Sequence, residues 1–551
     1  MIVAGFLIGF LLVVLAVFAI QIGLDNDAGW GAGRVLMLKA GLTSIFISGL
    51  AAVLNKRLAG IEQQITRVAE KFRQIDYSKR MVIFTVPVVS IVIASYVWSA
   101  LPGLGSSTFN HYTLLAKAFK QHQLYLIEEP PPALLALEDP YNYIVRKEKG
   151  IESYPWDASL YNGKFYFYWG PAPSLLLTLL PNETLDHIRD VHLVLAFFCG
   201  LFVYSVLLSY SLWLKANKSL PPWLYGACIL AVGMSAPTAQ LLNSSRVYEV
   251  AISGCQFFFI GGLYWAFTAF TDESLSLPKI LLAGLHWAFA LGTRITIQPV
   301  ILLATGMMLI YAVKQVKPLS LKTHLPIVLY LCTPLAIAAI GIGWYNWARF
   351  GSLLEFGLKY QLANVNYSIF HDSFSAGYIK DNLYNYFTHP IRISRTFPFL
   401  HSIENTFSNE RLAGLAYLSP FFFFAGLFVG KFLRPHKSSG QTNVDPIGSW
   451  MPLVLAGSAL ISTLTILSFN FPTTRYGEDF MPLLLLLATA SIGEGYRLFG
   501  KTKVTGNLYI IFIALVAFFS AAASSLVAFP SGKAKVVIGF IEGIYKSLGI
   551  H

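Results

Sequence analysis

Apolar runs long enough to cross a bilayer recur from one end of this chain to the other, and nothing else constrains its fold as strongly. They fall near 2–22, 36–54, 81–101, 191–214, 223–238, 251–270, 279–293, 297–313, 325–346, 412–432, 449–469, 479–495 and 507–529. Backbone polar groups have no water to bind in lipid, so such runs must be helices. The expectation is an all-α polytopic membrane protein with about thirteen transmembrane helices. With 12% charged and 55% hydrophobic residues, a soluble globular domain is excluded.

Lys and Arg set the orientation. Alternate loops are basic, with Lys56, Arg57, Arg67, Lys71, Arg73, Lys79 and Arg80 in one, Lys215 and Lys218 in the next, then Lys314, Lys317 and Lys322, Lys431, Arg434 and Lys437, and Arg497, Lys501 and Lys503. Basic loops stay in the cytoplasm. This places the chain in the cell membrane with its N-terminus cytoplasmic and its C-terminus outside. The net charge of +12 is then a topology signal rather than a nucleic-acid footprint. Segments 101–190, 239–250, 347–411 and 470–478 face outward.

Three regions follow. Residues 1–80 form an extension of two helices plus an amphipathic segment over 55–78, where Leu58, Ile61, Ile65, Val68, Phe72 and Ile75 recur at helical spacing on the inner leaflet. The segment from Met1 to Leu24 lacks a basic start and a small-residue cleavage site, so it reads as a retained helix. Residues 81–530 form the main transmembrane domain with outer loops 102–190 and 347–411, and 531–551 are an outer tail. Cys199, Cys228, Cys255 and Cys332 all lie in apolar runs without metal-ligand spacing and read as small core residues. Asp25-Asn26-Asp27 reads as a polar loop.

The first outer loop is the most informative stretch. Its start, Thr108 to His122, has the spacing of a short interfacial helix opening on Asn110 and His111, which either face a substrate or cap the helix. Asp139 precedes Pro140, a turn signal before it is a catalytic candidate. Asp157 leads into Tyr161–Tyr168, whose Asn162-Gly163 pair predicts a small hairpin holding Asp157 and Lys164 over the membrane surface. Asp157 either faces a ligand or bonds its own turn. Ser174–Leu180 is too short to span and reads as an interfacial helix.

Further along, Arg246 and Glu249 sit at the lip of a span, as a simple ion pair or as part of a site. Lys164, Arg246, Arg294, Arg349 and Arg475 share the face normally poor in basic residues, where cations could hold a phosphate among lipid headgroups. Taken singly, each is a snorkelling anchor.

The words Leu115-Ala116 with Phe119, Asp157-Ala158-Ser159-Leu160-Tyr161-Asn162-Gly163-Lys164 running into Tyr168-Trp169-Gly170-Pro171-Ala172-Pro173, and Val247-Tyr248-Glu249 have a familiar order. Tyr345-Asn346, Arg349-Phe350-Gly351-Ser352, Glu355-Phe356-Gly357, Arg475-Tyr476 and Asp479-Phe480 complete it. This order resembles the polytopic C-type glycosyltransferases of the GT-C superfamily, and more closely a bacterial branch of them. The resemblance implies a GT-C-like helical domain with interfacial helices, in which the first 80 residues are an addition. It implies transfer of a sugar from a polyprenyl-phosphate carrier to a hydroxyl of a glycan, lipid or protein acceptor on the outer side, in cell-envelope assembly.

It also implies a general base in the first outer loop, where the superfamily usually has an early acidic residue. This chain has Asn110-His111 there, leaving Asp157, Asp139, Glu249 and His111 as candidates. Lys164, Arg246, Arg294, Arg349 and Arg475 are expected at the donor phosphate, and Asn110, Tyr161, Trp169, Tyr248, Tyr476 and Asp479 at the substrate. No cofactor is specified, and a divalent metal stays open. Three other readings stand beside this one: a transporter or flippase for lipid-linked saccharides, an O-antigen polymerase or ligase, and a structural membrane protein. Lys39 is the main ionisable residue in mid-span and no repeat is visible, which disfavours transport.

Overall fold

The structure is a computed structural model, describing residues 2–19, 30–53, 74–101, 103, 110–151, 153–235, 237–271, 274–369, 373–406, 408–431 and 447–529. The amphipathic segment 55–78 lies almost wholly outside the described residues, and Asp25-Asn26-Asp27 and the tail 531–551 lie entirely outside them.

The described chain is mostly helical. An N-terminal pair, α1 (Ile2–Val17) and α2 (Ala32–Val53), packs on itself, with Ser44 Oγ donating to the Gly5 carbonyl at 2.7 Å. The main bundle begins with α3 (Tyr77–Ala100) and continues through α4 (His111–Lys120), α5 (Asp190–Ala216), α6 (Pro222–Met234) and α7 (Val247–Thr268). It is completed by α8 (Leu277–Thr293), α9 (Gln298–Gln315), α10 (Leu321–Phe350), α11 (Ile447–Leu467), α12 (Met481–Phe499) and α13 (Lys503–Val527).

Among the described residues, seven helices are long and apolar enough to cross a membrane: α3, α5, α7, Ile295–Gln315, α10, Trp450–Leu467 within α11, and α13. Shorter apolar helices occupy α1, α6, α8 and Pro420–Gly430. Helix α7 is the hub, with α5 and α8 packed along it, so its face is buried nearly all round.

Two expected crossings are interrupted. The run 223–238 ends as a helix at Met234, because Ser235 turns extended (ψ 147°) ahead of Pro237, and the chain resumes as the short helix Thr238–Asn243. The run 412–432 starts as sheet, not helix: Arg411–Leu412 pairs with a neighbouring strand, one helical turn follows at Leu415–Leu418, and a tight helix begins only at Pro420. Pro420 donates no backbone hydrogen and disfavours helix at Ser419, which breaks the run there.

Strands are few and belong to the loops. β1 (Ser159–Tyr161) and β2 (Lys164–Tyr166) form the hairpin expected from Asn162-Gly163, and β3 (Ile391–Ile393), β4 (Leu400–Glu404) and β5 (Arg411–Leu412) form an antiparallel sheet in the second long loop. The expected helix near 108–122 is α4, and that at 174–180 is Ala172–Leu177.

Candidate active site

The two long loops are built into each other. In the hairpin, Asn162 (φ 47°) and Gly163 (φ 67°) take left-handed conformations, which reverses the chain in two residues and pairs Tyr161 with Lys164. Just before β1, Asp157 is also left-handed (φ 63°), a conformation that Asp tolerates better than most residues. The second loop locks onto this corner. Leu362 N–H donates to the Ala158 carbonyl at 2.9 Å, and Ser159 Oγ donates to the Gly357 carbonyl at 2.8 Å. Arg146, fully buried, staples both loops by donating to the Pro140 carbonyl, to Tyr154 Oη and, at 2.6 Å, to the Ala363 carbonyl. Where the first loop returns to the bundle, Gly170 lies so close to the end of α8 that a Cβ would sit 2.1 Å from the Gly292 carbonyl oxygen. Only glycine fits there.

Between these loops and the helix ends lies a cavity of about 790 Å³. Asp157 lines it from the first loop, Arg246 from the start of α7, and Arg294 from the end of α8. Arg349 lines it from the last turn of α10, and Arg475 from the tight turn Thr474–Asp479. Trp169, Tyr248 and Tyr476 add aromatic walls, while Ile295, Ile342 and Ile466 add apolar surface. Thus the buried Asp157 carboxyl and four guanidinium groups, from five separate segments, meet in one hollow at the loop end of the bundle, with Glu355 and Glu410 also on its wall.

The four cations are not equally available. Arg294 is paired with Asp479, its Nη1 donating to both carboxylate oxygens, to Oδ2 at 2.6 Å. Arg349 donates to the Phe167 carbonyl (2.6 Å), Asn346 Oδ1 (2.7 Å) and the Tyr345 carbonyl (3.2 Å), so it ties loop to helix. Arg475 lies 4.5 Å from the Tyr248 ring centre and makes a loose 3.4 Å ion pair with Glu410. Arg246 is exposed at the rim, its backbone N–H donating to Glu249. Arg246 and Arg475 are therefore the charges least committed elsewhere.

Several buried donors on the cavity wall have no hydrogen-bond partner among the described residues: Trp169 Nε1, Arg294 Nε, Arg475 Nε and the Tyr345 hydroxyl. Buried donors seldom go unmet unless a ligand or water meets them. Their common need is an acceptor, and a sugar phosphate is rich in acceptor oxygens. Asp157 is the counterpart. It is 5% exposed, and burial pushes its carboxyl up from 3.8 to about 7, against the opposing pull of Arg475, a hydrogen bond from Gln361, and Arg146.

Other residues expected at the site lie elsewhere. Lys164 projects from the hairpin tip over the Tyr125 ring, 3.9 Å from its centre, because the tight turn points it away from Asp157. Asp139 bonds its own turn at Tyr141 N–H (2.9 Å) and accepts from Asn366. His111 is buried and stacked on Phe167, and Asn110 Oδ1 accepts from the Asp190 N–H at 3.3 Å. Glu249 caps α7 through the Arg246 N–H at 2.9 Å, which is a helix-start role. Tyr161 packs among Tyr360 and Phe350, and Asp479 serves Arg294 from behind the wall.

Sequence reasoning missed Glu410, Tyr367 and Asn364 on the cavity wall, and Asp190 and Arg146 behind it. Asp190, the buried acid beside Asn110, comes from the far end of the loop rather than its start. Among the described residues no three His, Cys, Asp or Glu gather as a metal site.

No protein-family model and no curated protein matches the sequence. Among solved structures, the fold is similar to the Archaeoglobus fulgidus oligosaccharyltransferase in its apo form, at TM-score 0.45 and 11% identity, over 84% of this chain. The chain spans 57% of that protein's length. At this score and identity the likeness decides nothing about chemistry.

Proposed function

We propose that this membrane protein is a glycosyltransferase that moves a sugar from a polyprenyl-phosphate carrier to an acceptor hydroxyl on the outer side of the cell membrane. The observation that carries the proposal is the single cavity where a buried carboxyl faces arginines and unmet hydrogen-bond donors. Its apolar lining residues suit a lipid tail, its arginines a phosphate, and its aromatic rings the faces of a sugar.

The chemistry asks little more. Asp157, ionised, takes the proton from the acceptor hydroxyl as that oxygen bonds to the anomeric carbon. The bond from that carbon to the phosphate oxygen breaks, and the phosphate leaves with the electron pair. Arg475 and Arg246 hold the phosphate as its charge grows, while Arg294 and Arg349 fix the walls. One displacement of this kind inverts the anomeric centre. A value of about 7 for Asp157 suits a base that must be ionised yet able to hold a proton.

The test is transfer of radiolabelled sugar from polyprenyl phosphate by purified protein in liposomes, with Asp157→Asn alongside. Label should move to acceptor with the parent chain and not with the variant. Label that crosses the bilayer still attached to its carrier would instead show transport.

A further inference from the structure

The turn that carries Arg475 into the cavity also carries Glu478, which faces the opposite way, toward the break between α6 and Thr238–Asn243. The Glu478 side chain is 1% exposed and accepts from Thr238 Oγ1 at 3.1 and 3.3 Å. Among the described residues it has no cationic partner, and its charged neighbour in sequence, Asp479, has the same sign. A hollow of about 20 Å³ adjoins it, lined also by Tyr96, Ser205 and Ser235. Among the described residues the buried Ser235 Oγ has no hydrogen-bond partner, and the Tyr96 hydroxyl donates to the Gly233 carbonyl at 2.6 Å, leaving its oxygen able to accept.

A water needs about 10–15 Å³ and two to four polar partners. The hollow has room for one such molecule. An ionised carboxylate, by contrast, would be a buried charge with only neutral hydroxyls around it and no cation among the described residues, which is a costly state.

We propose that Glu478 is a positioning residue that sits in the fold as a neutral acid and, through one trapped water shared with Ser235 and Tyr96, clamps the Thr474–Asp479 turn to the α6 break. A protonated carboxyl supplies the donor that the water requires, while Thr238 satisfies its acceptor side. Burial pushing the Glu478 carboxyl up to about 8 agrees with this geometry. The consequence is mechanical. Arg475 and Tyr476 precede Glu478 and Asp479 follows it, so the clamp sets Arg475 in the cavity and, through Asp479, Arg294 as well. Its effect on transfer rests on the proposed function; the neutral acid and its water do not.

Infrared spectra of purified parent and E478Q at neutral pH test the protonation directly. The parent should show the carbonyl stretch of a protonated carboxyl group that E478Q lacks. Loss of ionised-carboxylate bands in E478Q instead would overturn the proposal. The second arm measures binding of sugar-free polyprenyl phosphate. E478Q, a neutral isostere, should bind within about twofold of the parent, while E478A should bind about tenfold more weakly. E478Q as weak as E478A, or E478A equal to the parent, would overturn the clamp. Failure of the parent to bind polyprenyl phosphate at all would count against the glycosyltransferase reading and leave the infrared result to decide Glu478.

Discussion

Replacing Asp157 by Asn should remove activity and add stability, and the two effects should have linked pH dependences. The carboxyl is moved from 3.8 to about 7 in the fold, and each unit is worth about 1.4 kcal/mol, so its ionisation strains the native state by roughly 4 kcal/mol. The sign follows from linkage. Between the two values the folded chain holds a proton that the unfolded chain has lost, so stability falls as pH rises through that window. Below about pH 4 both states are protonated and the effect is absent; above about pH 7 it is fully developed. Asn cannot ionise and keeps a group able to bond Gln361. The variant should therefore melt higher than the parent at about pH 8, with the gap closing near pH 4.

Transfer should behave in the opposite sense. The parent rate should rise with pH through about 7, with about a tenth of the plateau rate one unit below that value. Loss of the base should cost about 10²- to 10⁴-fold. The assays are sugar transfer in liposomes buffered on both sides and thermal melting in detergent. A flat pH profile together with unimpaired transfer by the variant would refute the assignment of Asp157. A variant that melts lower at about pH 8 would refute the strain argument on which the shift rests.

Other consequences can be checked separately. Arg475→Ala and Arg246→Ala should each weaken polyprenyl-phosphate binding by about tenfold or more, read by fluorescence titration, since charge-assisted bonds are worth about 1.5–3 kcal/mol. Lys164→Ala should leave both binding and transfer unchanged in the same assays, because its charge lies over Tyr125 outside the cavity. Arg146→Ala should destabilise the chain by about 3 kcal/mol, seen as a lower melting temperature, because it strands buried carbonyls in both loops.

Much of the architecture was legible because lipid leaves the backbone few choices. Apolar length reveals helices, and Asn162-Gly163 reveals a hairpin. Length fails where a local rule overrides composition. The pair Ser419-Pro420 breaks one apolar run, and Pro237, which has no N–H with which to continue the helix, breaks another. The gathering of Asp157 with Arg246, Arg294, Arg349 and Arg475 in one cavity was legible because the alternation of basic loops assigns all five to the same side.

What hydropathy does not carry is the direction of each side chain. Lys164 follows a two-residue turn that points it outward, and Asp479 turns from substrate to Arg294. Glu249 has the position of a helix cap, three residues into α7, and is used as one. Glu410 and Tyr367 arrive through folding of the second loop, whose pairing with the first, Leu362 to Ala158, has no local signature.

The central claim is that the cavity walled by Asp157 and Arg475 receives the lipid phosphate. A photoreactive polyprenyl phosphate, crosslinked in liposomes and mapped by mass spectrometry, addresses it without knowledge of the sugar. Labels should concentrate on the wall segments Trp169–Pro171, Ile342–Arg349 and Thr465–Ile466, and fall away when Arg475 is replaced by Ala. Labels spread over exposed apolar residues such as Ile337, Leu460 and Phe518, indifferent to that substitution, would contradict it.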